Sequence, residues 1–499
     1  MSSLPLSIHT AAQVRELDRY AIESLSIPGY TLMTRAALGA LTVMQQTWPT
    51  ARRVLIVCGP GNNGGDGYVL ARLARAGGFD VSVVTIADVG RLKGDARRAY
   101  EDFLASDGVA EAWDEGLLDR AEVVVDAMFG TGLERRLDAT VTSIVDAINA
   151  RARAVLALDV PSGLHSDTGA VLGLAVRAHC TVTFIGLKLG FYLGAGPDHI
   201  GILAYDDLQV PRDAMTQVPA TALRIEVDEI ARVLPPRPRT AHKGQNGDVL
   251  IVGGGIGMAG AARLAGEAAL RSGAGRVTVA TRPENVSAIV AARPELMCRG
   301  VEGAADLEAL IARADVLAVG PGLGQDEWSN AMFETALRSE RRTVLDADAL
   351  NLLARRGVSA LPRGQRVLTP HPGEASRLLG RTSQHVQADR LAAARTLAER
   401  FDSVVVLKGA ASIVAAPDAL PAICDRGNPG MASPGMGDVL TGVIAGVIAQ
   451  AQDVAAAARA GVLAHAMAGD LAAKRGERGL IASDLFEYLP SCLNQPRLA

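Results

Sequence analysis

The segment 434–438 contains the residue types that a phosphate-transfer site needs. Gly435 and Gly437 precede an apolar stretch from Val439 that is typical of a helix. Bare backbone N–H groups at a helix N-terminus bind phosphate. An aspartate beside them can accept the proton of a hydroxyl group that attacks the terminal phosphate. Asp438 is therefore predicted as a catalytic base, and the simpler alternative is that Asp438 only caps the helix.

Polar groups also end several other predicted strands of the second half. Lys408 and the glycine after it are suited to nucleotide phosphates or ribose, and the segments 346–351 and 369–374 end two more strands. The segment 319–324 offers glycine backbone that a substrate can approach. His371 is expected to form hydrogen bonds rather than to bind a metal, since no second His or Cys lies at ligand spacing.

In the first half, the segment 59–67 follows a predicted strand and precedes a predicted helix. It contains the GxGxxG spacing, but a tight turn alone would explain the glycines. Asn62, Asn63 and Asp66 are more polar side chains than a turn needs. Asp66 would also repel a pyrophosphate at the helix start. The segment therefore favours a site for hydroxyl groups and a cation over a standard dinucleotide site.

Two further strand ends in this half carry oxygen ligands. Asp126 ends one predicted strand, and Asp159 and Ser162 follow the next. Ligands of doubly wound sheets bind outside the carboxyl ends of the strands. Asn63, Asp126 and Ser162 could then hold one hard monovalent cation, with Asp159 as an acid/base beside it. The alternative is that these side chains only cap helices, but three such segments together favour a site.

The elements that must position these residues alternate between short apolar strands and helices in both halves. This pattern predicts an α/β fold with parallel sheets covered on both faces. The predicted strands are 54–57, 81–86, 123–126, 154–159 and 181–185, then 249–252, 276–280, 316–319, 343–345, 367–369 and 404–407. The predicted helices are 11–25 and 68–76, with Ala-rich helices from residue 439 onward.

The length of 499 residues exceeds what one hydrophobic core usually supports. The segment 209–239 is rich in proline, which breaks regular elements, so it is predicted to connect two domains. We expect the domains to be 1–220 and 221–499.

Charge and cysteine content narrow the class of protein. A net charge of −4 provides no basic patch for nucleic acid or an anionic membrane. Five scattered cysteines without a CxxC pair favour a reducing compartment. The first twenty residues lack a basic segment followed by an apolar core, and the apolar stretch 439–449 is too short to span a bilayer. These features predict a cytoplasmic protein.

Three ordered motifs of the first half resemble the YjeF N-terminal domain, a family of NAD(P)H-hydrate epimerases. They read Gly-Pro-Gly-Asn-Asn-Gly-Gly-Asp-Gly, Asp-Ala-Met-Phe-Gly-Thr-Gly and Leu-Asp-Val-Pro-Ser-Gly. The resemblance implies a Rossmann-like domain that interconverts the R and S forms of hydrated NADH and NADPH. It implies potassium at Asn63, Asp126 and Ser162, with Asp159 as the acid/base. The implied hydrate contacts are Asn62, Asn63, Gly64, Gly65, Asp66, Gly130, Thr131, Gly132, Leu133, Glu134, Arg135, Arg136 and Asp159.

The second half resembles the ribokinase-like superfamily and, more closely, the YjeF C-terminal domain, an ADP- or ATP-dependent NAD(P)H-hydrate dehydratase. The matching motifs are Gly-Pro-Gly-Leu-Gly, Thr-Pro-His-Pro-Gly-Glu, Leu-Lys-Gly-Ala and Ser-Pro-Gly-Met-Gly-Asp. The resemblance implies Mg²⁺ on the nucleotide phosphates, and we expect ADP rather than ATP, giving AMP and phosphate. The implied nucleotide contacts are Lys408, Gly409, Ala410, Ala411, Ser412 and Gly437. The implied hydrate contacts are Ala261, Gly322, His371 and Asp438.

The leading hypothesis is therefore a bifunctional repair enzyme that epimerises NAD(P)H hydrates and dehydrates the S form. Its expected partners are NADH and NADPH hydrates, an adenine nucleotide and further copies of the chain. A second hypothesis is a ribokinase-like kinase for a vitamin or thiazole, with a non-catalytic N-terminal binding module. A NAD-dependent dehydrogenase is a weaker alternative, because the sequence contains no convincing constellation for hydride transfer.

Overall fold

The computed structural model describes residues 4–86, 88–357 and 365–494. The contacts between residues divide the chain into two compact units, between Ala222 and Leu223. The strands of the first unit are β1 (Ser7–His9), β2 (Arg53–Cys58), β3 (Asp80–Thr85), β4 (Ala110–Glu111), β5 (Val123–Ala127), β6 (Val155–Leu158), β7 (Cys180–Phe184), β8 (Leu187–Lys188) and β9 (Ile202–Asp206). Its helices are α1 (Ala11–Glu23), α2 (Gly29–Thr47), α3 (Asn62–Ala76), α4 (Gly94–Ala105), α5 (Leu117–Arg120), α6 (Ala139–Arg151), α7 (Gly196–His199) and α8 (Arg212–Met215).

The first unit is built on a parallel sheet with the strand order β4-β3-β2-β5-β6-β7-β9. Its central strands are apolar and fully buried, since hydrophobic clusters pack against both faces. The chain order reverses between β2 and β5. A crevice for ligands therefore opens at the carboxyl ends of these two strands.

Helix α3 begins at Asn62, earlier than the sequence predicted, so most of the glycine-rich segment is helical. The glycines allow this because the backbone packs too closely for side chains. A Cβ atom on Gly64 would lie 2.1 Å from the carbonyl oxygen of Gly59, and one on Gly67 would lie 2.7 Å from the Cβ of Ala127. The first turns of α3 are thereby held against the ends of β2 and β5.

The second unit contains a longer sheet. Its strands are β10 (Ala222–Arg224), β11 (Asp248–Val252), β12 (Arg276–Thr281), β13 (Met297–Gly300), β14 (Val316–Val319), β15 (Arg342–Leu345), β16 (Arg366–Leu368), β17 (Val404–Leu407), β18 (Ser412–Ala415) and β19 (Ala422–Cys424). Its helices are α9 (Asp228–Val233), α10 (Ala259–Arg271), α11 (Val286–Ala292), α12 (Ala304–Ile311), α13 (Glu327–Leu337), α14 (Ala347–Arg356), α15 (Pro372–Leu379), α16 (Ser383–Ala388), α17 (Arg390–Phe401), α18 (Met436–Ile448), α19 (Val454–Ala472) and α20 (Leu485–Leu493).

The strands of this unit follow the order β13-β12-β11-β14-β15-β16-β17-β18-β19-β10. They run parallel except that β18 is antiparallel to both of its neighbours. One apolar core lies under helices α10, α18, α19 and α20. The α/β class with parallel sheets that the sequence predicted is confirmed in both units. Within the described residues, no helix is long and apolar enough to cross a membrane.

Helix α18 begins at Met436, and its N-cap is Gly435, whose φ of +89° favours glycine. Asp438 is the third residue of this helix. The alternative that Asp438 serves as the N-cap is therefore wrong. The cap makes no side-chain hydrogen bond, which leaves the first N–H groups of the helix open to a ligand.

Candidate active sites

A cavity of about 450 Å³ in the first unit lies where the sheet order reverses. Of the predicted hydrate contacts, those in its lining are Asn62, Asn63, Asp66, Gly130, Thr131, Gly132, Leu133 and Asp159. Gly64 and Gly65 lie behind it, where they allow close packing of α3. Residues 134–136 are exposed and outside the lining. The structure thus brings most of the predicted contacts to one space.

Asp159 lies in the cavity wall and is held on both carboxylate oxygens. Its Oδ1 is 2.5 Å from the Nζ of Lys188, and its Oδ2 accepts a 3.1 Å hydrogen bond from the backbone N–H of Thr131. A Cβ atom on Gly130 would lie 2.7 Å from Oδ2, so only glycine leaves room beside the carboxylate. Asp159 can therefore accept or return a proton at the cavity surface.

The three predicted cation ligands surround the segment 128–130. Ser162 donates from its Oγ to Asp126 Oδ1 at 2.6 Å and from its N–H to Oδ2 at 2.8 Å. Burial raises the pKa of Asp126 to about 6, although the Ser162 and Met128 hydrogen bonds oppose this shift. Asn63 is 8% exposed, and neither of its amide atoms has a hydrogen-bond partner among the described residues. These oxygens are hard ligands suited to an alkali cation.

Three further carboxylates line the same cavity, Asp66 from α3, Asp18 from α1 and Asp95 from α4. Burial, followed by the charges of Asp159 and Asp18, raises the pKa of Asp66 well above its usual range. Burial also raises the pKa of Asp18 to about 6, which the nearby Lys188 opposes. The cavity therefore combines proton-carrying groups with different proton affinities.

In the second unit, the N-terminus of α18 meets the end of β17. A Cβ atom on Gly437 would lie 3.3 Å from Lys408 Nζ. That ammonium lies 2.7 Å from Asp346 Oδ1 and 3.8 Å from Glu374 Oε2. Asp346 is fully buried and also accepts hydrogen bonds of 2.8 Å from the hydroxyl groups of Thr369 and Thr441. Lysine charge and helix N–H groups thus face one space, as an anionic phosphate requires.

Asp438 lies in an acidic neighbourhood within this site. Burial, then the charge of Asp346, raises the pKa of Asp438 to about 7, and Lys408 opposes the shift. Burial raises the pKa of Glu374 to about 7 as well, again opposed by Lys408. A carboxylate with a pKa near 7 is suited to general base catalysis, because it is available at neutral pH and holds a proton well.

The predicted nucleotide segment 408–412 forms the turn between β17 and β18. Arg390 from α17 lies behind this turn and is 6% exposed. Its guanidinium donates to the carbonyl of Ala410 at 2.5 Å and to those of Leu407 and Lys408 at 3.3 Å. One buried side chain therefore fixes three carbonyl groups, two in the turn and one at the end of β17.

Two of the four predicted hydrate contacts of this unit, Ala261 and Gly322, lie beside each other. A Cβ atom on Gly322, whose φ is +54°, would lie 2.7 Å from Met258 Cβ and 3.0 Å from Ala261 Cβ. Gly322 and Ala261 are therefore neighbours. His371 caps α15 through its Nδ1, which accepts the N–H of Gly373 at 3.0 Å. Burial lowers the pKa of His371, so its ring stays neutral and can accept or donate hydrogen bonds.

Sequence reasoning missed several residues of both sites. Lys188 could have been found as a lysine inside a buried apolar run, whereas Asp18 lies in an ordinary amphipathic helix and carried no signal. Asp346 and Glu374 were noted only as polar strand ends, although both contact Lys408. Arg390 lies in a helix that the sequence did not predict.

The folds and sites define a chain that joins a Rossmann-like domain to a ribokinase-like domain. Comparisons with known proteins support both parts. The family described as "YjeF-related protein N-terminus" matches residues 29–190, and the family described as "NAD(P)H-hydrate dehydratase" matches residues 249–491. A solved ribokinase-like superfamily protein of Enterococcus faecalis is 29% identical with a TM-score of 0.50, over 54% of this chain and 94% of its own.

Relatives of full length are also found. The bifunctional NAD(P)H-hydrate repair enzyme of Coxiella burnetii is 46% identical over 97% of this chain and 98% of its own length. The enzyme of the same description from Escherichia coli K12 is 42% identical over 99% of this chain and 95% of its own. The chain belongs to the family of bifunctional NAD(P)H-hydrate repair enzymes.

Proposed function

We propose that the chain repairs hydrated NADH and NADPH in two steps at two separate sites. The first unit interconverts the R and S epimers, and the second unit dehydrates the S epimer with ADP, giving AMP and phosphate. The observation that carries this proposal is the presence of two unlike proton-handling sites in one chain, Asp159 in a cavity and Asp438 at an anion-binding helix end. A dehydratase for one epimer benefits from an attached epimerase.

In the epimerase unit, Asp159 moves the proton that either route of epimerisation requires. Loss and return of the ring hydroxyl and reversible ring opening both need a group that accepts a proton and gives it back. Asn62, Asn63, Asp66 and the segment 130–133 contribute contacts to the hydrate. Close packing of the glycines around them fixes the backbone near Asp159. The proposal places the ring carbon that carries the hydroxyl beside this carboxylate.

Potassium fits the ligand set of Asn63, Asp126 and Ser162. The supporting observation is the buried amide of Asn63, which has no partner among the described residues. When bound, the cation would supply fixed positive charge beside the oxygen atoms of the hydrate. Asp126 and Ser162 hold each other in place through two hydrogen bonds, so their oxygens keep one arrangement.

In the dehydratase unit, Asp438 accepts the proton of the ring hydroxyl as its oxygen attacks the terminal phosphate of the nucleotide. The N–H groups that begin α18, together with Lys408, stabilise the developing negative charge. The phosphorylated oxygen then leaves as phosphate, pushed by the electron pair of the ring nitrogen. The resulting iminium ion loses a proton from the adjacent ring carbon to water, which restores the reduced nicotinamide. Mg²⁺ bound with the nucleotide would neutralise charge on its phosphates.

Nucleotide binding is assigned to the turn 408–412 and Gly437, and hydrate binding to Ala261, Gly322, His371 and Asp438. The cytoplasmic location and the self-association that the sequence predicts remain predictions. The proposed dehydratase is tested with the purified S hydrate and ADP. Formation of reduced nicotinamide together with free phosphate and AMP supports it, whereas a stable phosphorylated product would favour the alternative small-molecule kinase.

A further inference from the structure

Lys188 is fully buried in the first unit, at the wall of the cavity, and all three of its donors have acceptors. The ammonium lies 2.5 Å from Asp159 Oδ1 and donates to Thr183 Oγ1 at 2.7 Å and to the carbonyl of Phe184 at 2.9 Å. A buried ammonium needs such compensation, because the loss of water is costly. Since no donor remains free, Lys188 cannot also bind the hydrate in this arrangement.

The backbone that places Lys188 is strained. Ile185 has a φ of +61°, which a β-branched residue rarely adopts. Its N–H donates to the carbonyl of Asp206 at 3.0 Å, and its carbonyl accepts the hydroxyl of Tyr205 at 2.8 Å. This turn directs Lys188 back toward Phe184 at the end of β7. Strain of this kind persists only where the surroundings enforce it, and it is concentrated at functional sites.

Asp159 itself is also strained, with a φ of +64° directly after β6. Its side chain is 16% exposed, whereas that of Lys188 is 0% exposed. Asp159 is therefore the member of the pair that reaches the cavity contents. Lys188 fixes Oδ1, and the Thr131 N–H fixes Oδ2, which together set the orientation of the carboxylate plane.

The other carboxylates of the cavity make this pairing selective. Asp18 from α1, Asp66 from α3 and Asp95 from α4 share the lining with Asp159. Among the described residues, Asp159 is the carboxylate within ion-pair distance of Lys188. The ammonium of Lys188 therefore orients Asp159 directly, and it makes no such contact with the other described carboxylates of the lining.

We propose that Lys188 is a positioning residue for epimerisation, which acts through Asp159 by holding its carboxylate in one orientation toward the hydrate. The inference rests on the proposed epimerase function and extends it to a residue outside the three sequence motifs. Lys188 does not exchange the proton.

The test measures interconversion of purified R and S NADH hydrate without nucleotide, in the full-length chain. Lys188→Met is expected to lower kcat for epimerisation at least tenfold, with less than a twofold change in KM. Lys188→Met combined with Asp159→Asn is expected to be no slower than Asp159→Asn alone, since Lys188 acts through Asp159. Nucleotide-dependent dehydration of the S epimer by the same preparations shows that the second unit is intact.

A milder pair of variants keeps the test valid should Lys188→Met fail to fold. Thr183→Val removes one acceptor of the ammonium and is expected to lower kcat severalfold. Thr181→Val is the matched control, because Thr181 is equally buried on the same strand but donates to the carbonyl of Ile200 at 2.7 Å. It should leave epimerisation unchanged.

The inference is overturned if folded Lys188→Met epimerises at the wild-type rate. It is also overturned if the double variant loses rate by the full product of the two single losses, or if Thr183→Val and Thr181→Val change the rate equally. Absence of epimerisation in the wild-type chain would instead refute the proposed function itself. The two failures are therefore distinguishable.

Discussion

Lys408 Nζ lies 2.7 Å from Asp346 Oδ1, and the same ammonium faces the glycine that precedes Asp438 in the first turn of α18. The pair places one positive charge between a buried carboxylate and a helix N-terminus. Asp346 is held in turn by two threonine hydroxyl groups, so the lysine cannot shift without breaking a hydrogen-bonded network. A positive charge, a helix N-terminus and the proposed base Asp438 are thereby brought to one point.

Replacement of Asp438 tests the independence of the two sites. Asp438→Asn should reduce dehydration by roughly 10²- to 10⁴-fold, the usual contribution of a general base, and Asp438→Ala should abolish it. Epimerisation by the same variants should be unchanged, because Asp159 lies in the other unit. The rates of epimer interconversion and of NADH formation measure the two effects. Loss of both activities in a folded variant would contradict the separation of sites.

The pH dependence of dehydration should follow the acidic cluster of the second unit. Asp438 must be ionised to accept a proton, and its pKa is raised to about 7 by burial and by Asp346. The value of kcat/KM should therefore fall as the pH decreases through about 7. Glu374 has a pKa raised to about 7 by burial, so Glu374→Gln is the informative control. It should keep a sigmoidal profile with a lower midpoint, because the charge of Glu374 helps to raise the pKa of Asp438. A profile that becomes flat in this variant would assign the titration to Glu374.

The cation site is tested by substitution of Asp126. Asp126→Ala should weaken epimerisation and raise the potassium concentration for half-maximal activity about tenfold, which corresponds to ~1.4 kcal/mol of binding free energy. Asp138→Ala is a suitable control, because Asp138 caps α6 by accepting the N–H of Val141 at 2.9 Å. It should affect stability but not the potassium response. An unchanged response in Asp126→Ala would remove this residue from the site.

Arg390 should govern nucleotide affinity without contacting the hydrate. Arg390→Met removes the guanidinium that holds two carbonyl groups of the turn and one at the end of β17, so the KM for ADP should rise about tenfold. The free energy of unfolding should decrease by about 1–3 kcal/mol. Arg395→Met, an exposed change on the same helix, should alter neither quantity. A normal KM for ADP in folded Arg390→Met would show that the turn does not depend on Arg390.

The strands and their ends were accessible to sequence reasoning because buried parallel strands are short apolar runs followed by glycine or aspartate. The predicted strands 316–319 and 404–407 coincide with β14 and β17. The start of α3 was not accessible, since glycines predict a loop and only the packing of Gly64 on Gly59 makes a helix possible.

The site residues that the sequence did not predict depend on contacts between distant segments of the chain. Asp18 lies in α1, which is distant in sequence from the strand ends that line the same cavity. Arg390 reaches the turn 408–412 through the packing of α17 on β17 and β18. Neither position carries a local motif, because their roles depend on tertiary structure. Lys188 was the partial exception, since a charge within a buried run demands a partner.

The central claim is that one chain converts both epimers of a hydrated cofactor back to the reduced form. The direct measurement is to incubate the protein with a mixture of R and S NADH hydrate, Mg²⁺, potassium and either ADP or ATP. The account predicts recovery of NADH from both epimers, with one phosphate released per turnover and faster turnover with ADP. Recovery of NADH from the S epimer alone, or phosphorylation without release of phosphate, would contradict it.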